Sequence, residues 1–351
     1  MAAGLAAFTL ADALLLAGLR RWRFSFGPVG PQLFTIELPR LATALLGIPV
    51  AAWLGPLPAL MGVGVVNVAA SLALAWGSFV EPQRLQLTKL SLVSDLFPPG
   101  VSLSLLHISD LHVERFGRRE ERLLSMVQAI APDVILLTGD YLNLSYVDDP
   151  DAQAEARRIL AALSGGKGNL APGGVYAVLG SPPVDRNSAS LFDDLPVRLL
   201  RDEVVTIELP VPGSQSQARQ RLALVGLDCS HDTARDAERL AVVAEQAPSG
   251  IFRVLLYHSP ELIETASKLD INLYLCGHTH GGQVRVPFYG AVLTASELGK
   301  RFDMGYYRLA GTHLYVSRGI GLEGLGAPRV RFFCPPEITL ISIRGPQGRQ
   351  A

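Results

Sequence analysis

Four histidines and two aspartates stand directly after short apolar segments of the sequence. These residues are Asp110, His112, Asp140, His258, His278 and His280. Each apolar segment has the length of a buried strand, and the loops beyond the carboxyl ends of strands in an α/β sheet converge on one crevice. Asp and His together are borderline ligands that suit Mn, Fe, Zn or Co. The spacing therefore predicts a metal site at one edge of a sheet.

The order of these residues is more specific than any one of them. A single Asp-x-His pair is common by chance, whereas a full series is not. The series reads Asp110-Leu111-His112, Gly139-Asp140, His258 and Gly277-His278-Thr279-His280. The other three histidines, His107, His231 and His313, belong to no such motif, and we expect them to be structural.

The segments that must position these residues alternate first between strands and helices and later pair locally. Predicted strands are Val101–Ser109, Val134–Leu137, Gly174–Leu179, Val204–Leu209, Leu222–Leu227, Phe252–Tyr257, Ile271–Cys276, His313–Val316 and Ile338–Ile343. Predicted helices are Arg118–Ile130, Ala152–Leu163, Asp236–Gln246 and Glu261–Leu269. This order is typical of an α/β fold, a mixed two-sheet sandwich with helices outside.

The ligand series resembles that of the calcineurin-like metallophosphoesterases. The run Leu314–Glu337 is similar to the membrane-associated branch of that family, and the resemblance covers about Ser104 to Ile343. It implies an αββα sandwich that holds two divalent metal ions. It also implies hydrolysis of a phosphomonoester, phosphodiester or pyrophosphate bond by a hydroxide that bridges the two ions.

Carried over to this sequence, the resemblance gives each residue a role. Asp110, His112 and His280 would bind the first metal ion, and His258 and His278 the second. Asp140 would bridge both, which makes Asp140, His258 and His278 the candidate catalytic residues.

One loop departs from the family pattern. The family reads Gly-Asn-His-Asp or Gly-Asn-His-Glu after the strand Gly174–Leu179, and here the sequence is Gly180-Ser181-Pro182-Pro183. Ser181 is a shorter and poorer metal ligand than asparagine, and Pro182 has no side-chain donor. Two hypotheses stay open: a slower or altered phosphoesterase, or a catalytically impaired protein of this fold that binds a metal or ligand at the membrane.

The N-terminal quarter is too apolar for a soluble domain. The chain has 351 residues, 49% of them hydrophobic, and no charged residue lies between Leu41 and Val80. That stretch could cross a bilayer twice, with a turn at Gly55, Pro56 and Pro58, so we predict spans at about 38–55 and 59–80. The first apolar segment, interrupted by Asp12, is interpreted as a third span rather than as a signal peptide.

Basic residues set the predicted orientation. Arg20, Arg21, Arg23 and Arg40 are assigned to the first loop, and Arg84 and Lys89 follow the last span. The positive-inside rule then predicts a multi-pass protein of the cell membrane with its catalytic domain in the cytoplasm. The predicted organisation is a membrane anchor at 1–82, a linker and lead-in to the first strand at 83–103, and a phosphoesterase domain at 104–345.

Composition limits the partners. The net charge is −1, so no strong electrostatic field favours nucleic acid, and we expect no nucleic-acid partner.

The three cysteines are far apart and form no Cys-x-x-Cys pair, which argues against a disulfide framework or a zinc knuckle. A membrane anchor beside the site suggests a lipid-linked phosphate ester as substrate. The resemblance to membrane phosphoesterases implies a nucleotide-linked lipid such as UDP-diacylglucosamine as one candidate.

Overall fold

Three helices begin the chain in the computed structural model, which describes residues 2–22, 29–165, 170–210, 219–324 and 329–346. They are α1 (Ala2–Arg21), α2 (Val29–Leu54) and α3 (Pro56–Ala75), and the π-helical turn Trp76–Val80 extends α3. Both α2 and α3 are long and apolar enough to cross a membrane. The break between them lies at Gly55, whose φ of 91° favours glycine, as predicted for the turn.

Helix α1 and residue Arg40 bear on the predicted N-terminal organisation. The apolar stretch of α1, Gly4–Leu19, is shorter than α2 and α3, so a third span stays a prediction. Arg40 does not lie in the first loop, because α2 already begins at Val29, and Arg23 lies outside the described residues. Inside the bundle, Arg40 Nη2 lies 2.5 Å from Asp12 Oδ2, and both side chains are buried. This pair ties α1 to α2 and removes one charge from the orientation argument.

Two six-stranded mixed sheets form the rest of the molecule. In the first sheet the order is β1-β14-β2-β3-β4-β5, and in the second it is β12-β13-β9-β8-β7-β6. The first sheet contains β1 (Gln86–Val93), β2 (Ser102–Ile108), β3 (Val134–Thr138), β4 (Val175–Val178), β5 (Val197–Leu199) and β14 (Glu337–Arg344). The second contains β6 (Glu203–Pro210), β7 (Arg219–Gly226), β8 (Phe252–Leu256), β9 (Leu273–Cys276), β12 (Gly305–Leu309) and β13 (Thr312–Val316).

Helices cover the outer face of each sheet. They are α4 (Arg118–Ile130), α5 (Pro150–Leu163), α7 (Thr233–Ala244) and the short α8 (Ile263–Ala266), whereas the short α6 (Pro182–Asp185) lies beside the loop that follows β3. One apolar core lies between the two sheets, where Leu105, Leu136 and Val254 meet. A second joins the first sheet to α4 and α5, and a third joins the second sheet to α7 and α8. The layers are therefore the predicted αββα sandwich.

Most predicted elements are confirmed, and the differences have local causes. The helix Arg118–Ile130 has the predicted bounds. The helix predicted at Glu261–Leu269 is a 3-10 turn, Pro260–Leu262, followed by a single turn of α-helix. No strand was predicted at Gln86–Val93, which pairs in parallel with β14 over its whole length.

Candidate metal centre

The six candidate ligands follow the carboxyl ends of four strands. In the first sheet, Asp110 and His112 follow β2, and Asp140 follows β3. In the second sheet, His258 follows β8, and His278 and His280 follow β9. Since β2 and β3 are parallel, as are β8 and β9, each pair of loops leaves its sheet at the same edge. The structure therefore brings together all six residues that the sequence selected.

The ligands form two groups of three. Asp110, His112 and His280 make one group and Asp140, His258 and His278 the other, with the ligand atoms of each group within 4.8 Å of one another. In the first group, His112 Nε2 lies 3.0 Å from His280 Nε2. In the second, His258 Nε2 lies 3.1 Å from His278 Nδ1. Such triads of buried oxygen and nitrogen ligands suit borderline divalent metals.

Asp140 lies between the two groups. Its Oδ2 is 3.3 Å from His258 Nε2 in its own group and 3.5 Å from His112 Nε2 in the other. One carboxylate oxygen is therefore near ligand nitrogens of both groups.

The backbone conformation of most candidate ligands is energetically unfavourable. Five of the six ligands have a φ in the left-handed region, namely Asp110 (51°), His112 (40°), Asp140 (55°), His278 (71°) and His280 (50°). A non-glycine residue there costs of order 1 kcal/mol or more, and such residues cluster at functional sites. Their concentration in this crevice supports it as the candidate functional site.

Small residues let the loops approach one another. A Cβ atom at Gly277 would overlap the carboxylate of Asp110, and one at Gly139 would overlap the backbone of Gly180. Glycine is therefore required at position 277 for loops of the two sheets to meet, and at position 139 for the loops after β3 and β4 of the first sheet to meet.

Hydrogen bonds orient the imidazoles toward an ion. His258 Nδ1 lies 2.8 Å from the carbonyl oxygen of Thr138, and His278 Nε2 lies 3.1 Å from that of Ala295. Each of these nitrogens must carry the proton, so the lone pairs of His258 Nε2 and His278 Nδ1 face each other at 3.1 Å. Two facing lone pairs repel unless a proton or a metal ion lies between them. Burial opposes a positive charge here, but Asp140 raises the pKa of His258 well above its ordinary value, so a cation is favoured and the donor set fits a metal ion.

The carboxylates also fit a cation. Asp110 Oδ2 is buried with no hydrogen-bond partner among the described residues. Burial alone would raise the pKa of Asp140, but the imidazoles of His258 and His112 hold the pKa of that carboxyl below its usual range. Burial, followed by the repulsion of His112, lowers the pKa of His280 and keeps its ring neutral, as a metal ligand must be.

Ser181 lies beside the second group. Its Oγ is 3.1 Å from His258 Nε2 and 3.4 Å from both His278 Nδ1 and Asp140 Oδ2. The hydroxyl is thus placed where a ligand to an ion in this group would lie. Pro182, the next residue, begins α6, where a missing N–H costs nothing.

Asp185, at the end of α6, was not among the predicted residues. Its carboxylate accepts hydrogen bonds from the backbone N–H groups of Asp140 (2.8 Å), Tyr141 (3.1 Å) and Gly180 (2.7 Å). Burial and the nearby Asp140 raise the pKa of Asp185 to about 6. Asp185 therefore fixes the Asp140 loop and the Gly180 loop to each other, although it belongs to no motif.

His231 was expected to be structural because it has no motif partner. In the structure its ring centroid lies 5.5 Å from that of His278, at an exposed position. Only the fold brings them together, since 46 residues separate them in the chain. The other two histidines lie elsewhere: His107 is buried against Thr138, and His313 contacts Tyr306.

Comparison with known proteins decides the family. A family model described as calcineurin-like phosphoesterase matches residues 103–282, which carry all six ligands. The chain belongs to the calcineurin-like phosphoesterase family. Members of this family use divalent metals, and the two ligand groups of this calcineurin-like phosphoesterase are candidate sites for them.

Three relatives match this calcineurin-like phosphoesterase over most of their lengths. The metallophosphoesterase YkuE of Bacillus subtilis is 28% identical over 278 residues, covering 77% of this chain and 89% of the relative. Phosphodiesterase YaeI of Escherichia coli is 28% identical over 299 residues, covering 79% and 95%. UDP-2,3-diacylglucosamine pyrophosphatase LpxG of Chlamydia trachomatis is 23% identical over 329 residues, covering 79% and 94%. The chain is accordingly a metal-dependent hydrolase that acts on phosphoester bonds.

Proposed function

We propose that this hydrolase works through a dinuclear metal centre. The observation that carries the proposal is the position of Asp140, whose Oδ2 lies within 3.5 Å of a ligand nitrogen in each group. A carboxylate so placed can bridge two ions, one held with Asp110, His112 and His280 and the other with His258 and His278. The identity of the ions is proposed from the mixed oxygen and nitrogen ligands, which favour Mn, Fe, Zn or Co.

The residues of the centre then have distinct tasks. When bound, two such ions would supply a hydroxide as nucleophile at neutral pH and positive charge against the phosphate oxygens. Asp140 holds the two sites at a fixed separation, and Thr138 and Ala295 hold His258 and His278 in the tautomer that presents a lone pair. Asp185 keeps the Asp140 loop against the Gly180 loop.

The loop Gly180-Ser181-Pro182-Pro183 supports a second candidate function. We propose that it replaces the family's Gly-Asn-His-Asp, so that Ser181 is a weak ligand to the second ion and Pro182 offers the phosphate no donor. Losing one positioned donor typically costs about 10²–10⁴ in rate. If the loss is complete, the protein binds a metal or ligand at the membrane without turning it over.

We propose a membrane location for the whole chain. The two apolar helices α2 and α3 support a multi-pass anchor ahead of the catalytic domain, which we place in the cytoplasm on the basic residues Arg21, Arg84 and Lys89. A lipid-linked phosphoester is the proposed substrate, since the relative LpxG is named for a lipid-linked pyrophosphate. A reporter that is active only outside the membrane, fused after Ala351, should stay silent.

Metal analysis and an activity assay on one preparation test the proposed function. The full chain, purified in detergent, should contain close to two ions per molecule after loading with Mn²⁺. It should also hydrolyse a water-soluble aryl phosphodiester, and a chelator should stop the reaction. Two ions without hydrolysis would favour the binding function, and at most one ion would contradict the dinuclear centre.

A further inference from the structure

An exposed apolar hairpin projects from the catalytic domain. Its strands are β10 (Arg285–Val286) and β11 (Gly290–Ala291), which pair in antiparallel fashion. Five large apolar side chains on the hairpin and the two residues after it are exposed, and we call them the apolar lip. They are Val286, Phe288, Tyr289, Val292 and Leu293. Phe288 is fully exposed, and Leu293 is 78% exposed. Contiguous exposed apolar residues of this kind mark an interaction surface.

The conformation of the hairpin holds these side chains outward. Phe288, at the tip, has a φ of 66°, which a bulky residue adopts only at a cost. The backbone N–H of Tyr289 donates to the carbonyl oxygen of Val286 at 3.1 Å and closes the turn. Lys300 Nζ lies 3.3 Å from the centroid of the Tyr289 ring, so a cation accompanies the aromatic group.

The base of the hairpin lies against the two membrane helices. Val284, directly before β10, forms a bridge with Phe332. Both residues line a cavity of about 390 Å³ whose other walls include Pro39 of α2 and Ala70 and Leu74 of α3. The hairpin therefore leaves the domain at its junction with the helices that fit a transmembrane region.

The segment after the hairpin runs past the metal centre. The N–H of Val292 donates to the carbonyl oxygen of Val284, and three residues later the carbonyl oxygen of Ala295 accepts from His278 Nε2 at 3.1 Å. His278 is the one partly exposed ligand of the six, the others being buried. The centre is thus open to solvent at His278, and the short segment from Val292 to Ala295 connects this open side to the apolar lip.

These positions assign a partner to the lip. We propose that the apolar lip docks on the lipid surface, so that the open side of the metal centre faces the headgroup layer and receives a phosphoester carried by a membrane lipid. The proposal rests on the proposed function and adds the way the substrate is presented. An aromatic pair beside a lysine is suited to the membrane–water interface, where rings lie at the headgroups and an ammonium stays in water.

A matched pair of substrates tests the proposal. Hexadecyl p-nitrophenyl phosphate in phosphatidylcholine vesicles and ethyl p-nitrophenyl phosphate in water carry the same leaving group. In both, the oxygen of water bonds to phosphorus and its proton passes to solvent, while the bond to the aryl oxygen breaks and p-nitrophenolate leaves with its electron pair. With the full chain in the same vesicles, Phe288→Ser combined with Leu293→Ser should lower the ratio of hexadecyl to ethyl hydrolysis about tenfold. Val242→Ser, at an exposed apolar position of α7, should leave that ratio unchanged.

A depth measurement tests the docking without relying on catalysis. The three native cysteines are buried, so a cysteine introduced on the surface can be labelled selectively. A spin label on Phe288→Cys in vesicles should collide more with dissolved oxygen than with a water-soluble nickel chelate, and a label on Val242→Cys should show the reverse. Equal, water-like behaviour of the two labels would overturn the proposal.

The outcomes separate the two proposals. Hydrolysis of neither ester by the parent chain would contradict the proposed function, and the label at position 288 would still decide the docking. Hydrolysis of the ethyl ester alone, or an unchanged ratio in the lip variant, would contradict the presentation of substrate by lipid while leaving the proposed function standing.

Discussion

The carboxylate of Glu81, directly after the N-terminal helices, accepts a hydrogen bond of 2.6 Å from the backbone N–H of Cys334. Cys334 Sγ in turn lies 3.2 Å from the carbonyl oxygen of the candidate ligand His280. The indole N–H of Trp76 donates to the other oxygen of Glu81. One buried carboxylate therefore joins the N-terminal helices to the candidate metal centre.

Glu81→Ala should destabilise the protein by about 1–3 kcal/mol, because it leaves the buried N–H of Cys334 without an acceptor. The midpoint of chemical unfolding in detergent measures the loss. Glu121→Ala, at an exposed position of α4, is the matched control and should change little. Equal midpoints for the two variants would show that the Glu81 contact contributes no stability.

Asp140→Asn should release more metal than His258→Ala. The carboxylate lies near ligand nitrogens of both groups, whereas His258 belongs to one. Metal bound per chain, measured after removal of free Mn²⁺, decides the order. His313→Ala, which changes a histidine outside the centre, should retain the parent content. If Asp140→Asn and His258→Ala retain the same content as the parent, the assignment of Asp140 as a bridge is wrong.

Rebuilding the altered loop should increase the rate. The triple change Ser181→Asn, Pro182→His, Pro183→Asp supplies an amide oxygen to the second ion and a donor for the phosphate. We expect a gain of about tenfold or more, equivalent to about 1.4 kcal/mol of transition-state stabilisation. Asp185 is kept, because its bonds to the Asp140 and Gly180 loops hold the pocket. Steady-state hydrolysis of an aryl phosphodiester measures the gain.

Folding of the triple variant is checked first by its unfolding midpoint and metal content. With both at the parent level and no gain in rate, the loop is not the missing element, and the binding function gains support. Ser181→Asn alone is the partial control, and it should raise metal affinity without supplying the donor.

Because the unfolded chain takes up a proton at His107, the protein should be less stable in mild acid. Burial lowers the pKa of His107 from 6.5 to about 3 in the folded state. Because the folded pKa lies below the unfolded one, protons bind the unfolded chain preferentially. The contribution of neutral His107 to the free energy of unfolding is complete above pH 6.5. It is lost as the pH falls toward 3, by roughly 1.4 kcal/mol per pH unit.

Unfolding of chelator-treated protein between pH 7 and pH 4 measures this slope without a contribution from metal release. His107→Gln keeps a polar group toward Thr138 and does not titrate, so the slope should be smaller in that variant. Identical slopes for variant and parent would assign the acid sensitivity to other groups.

The ligand residues could be predicted from sequence because each belongs to a short motif at the end of a buried strand. Asp110, Asp140 and His258 were selected because they occur in an ordered series after predicted strands, since none of the three is specific by itself. The burial of Leu105 and Val134 is likewise visible in continuous apolar runs.

Other features depend on partners that are distant in the chain. Asp185 looks like an ordinary helix residue until three backbone N–H groups from two loops are placed around it. Strand β1 alternates polar and apolar residues on a half-exposed edge, and its partner β14 is the last strand described. The sequence alone assigned Arg40 to a loop, because its ion-pair partner, Asp12, belongs to another helix.

The parallel pairing of β1 with β14 sets the order in which the protein can be completed during synthesis. Strand β1 directly follows the N-terminal helices, yet β14, which lies between β1 and β2 in the sheet, is made after every other strand that the structure describes. The helices leave the ribosome while the sheet still lacks this strand. Closure of the sandwich is therefore a late step, which under the proposed membrane location takes place on a chain that is already anchored.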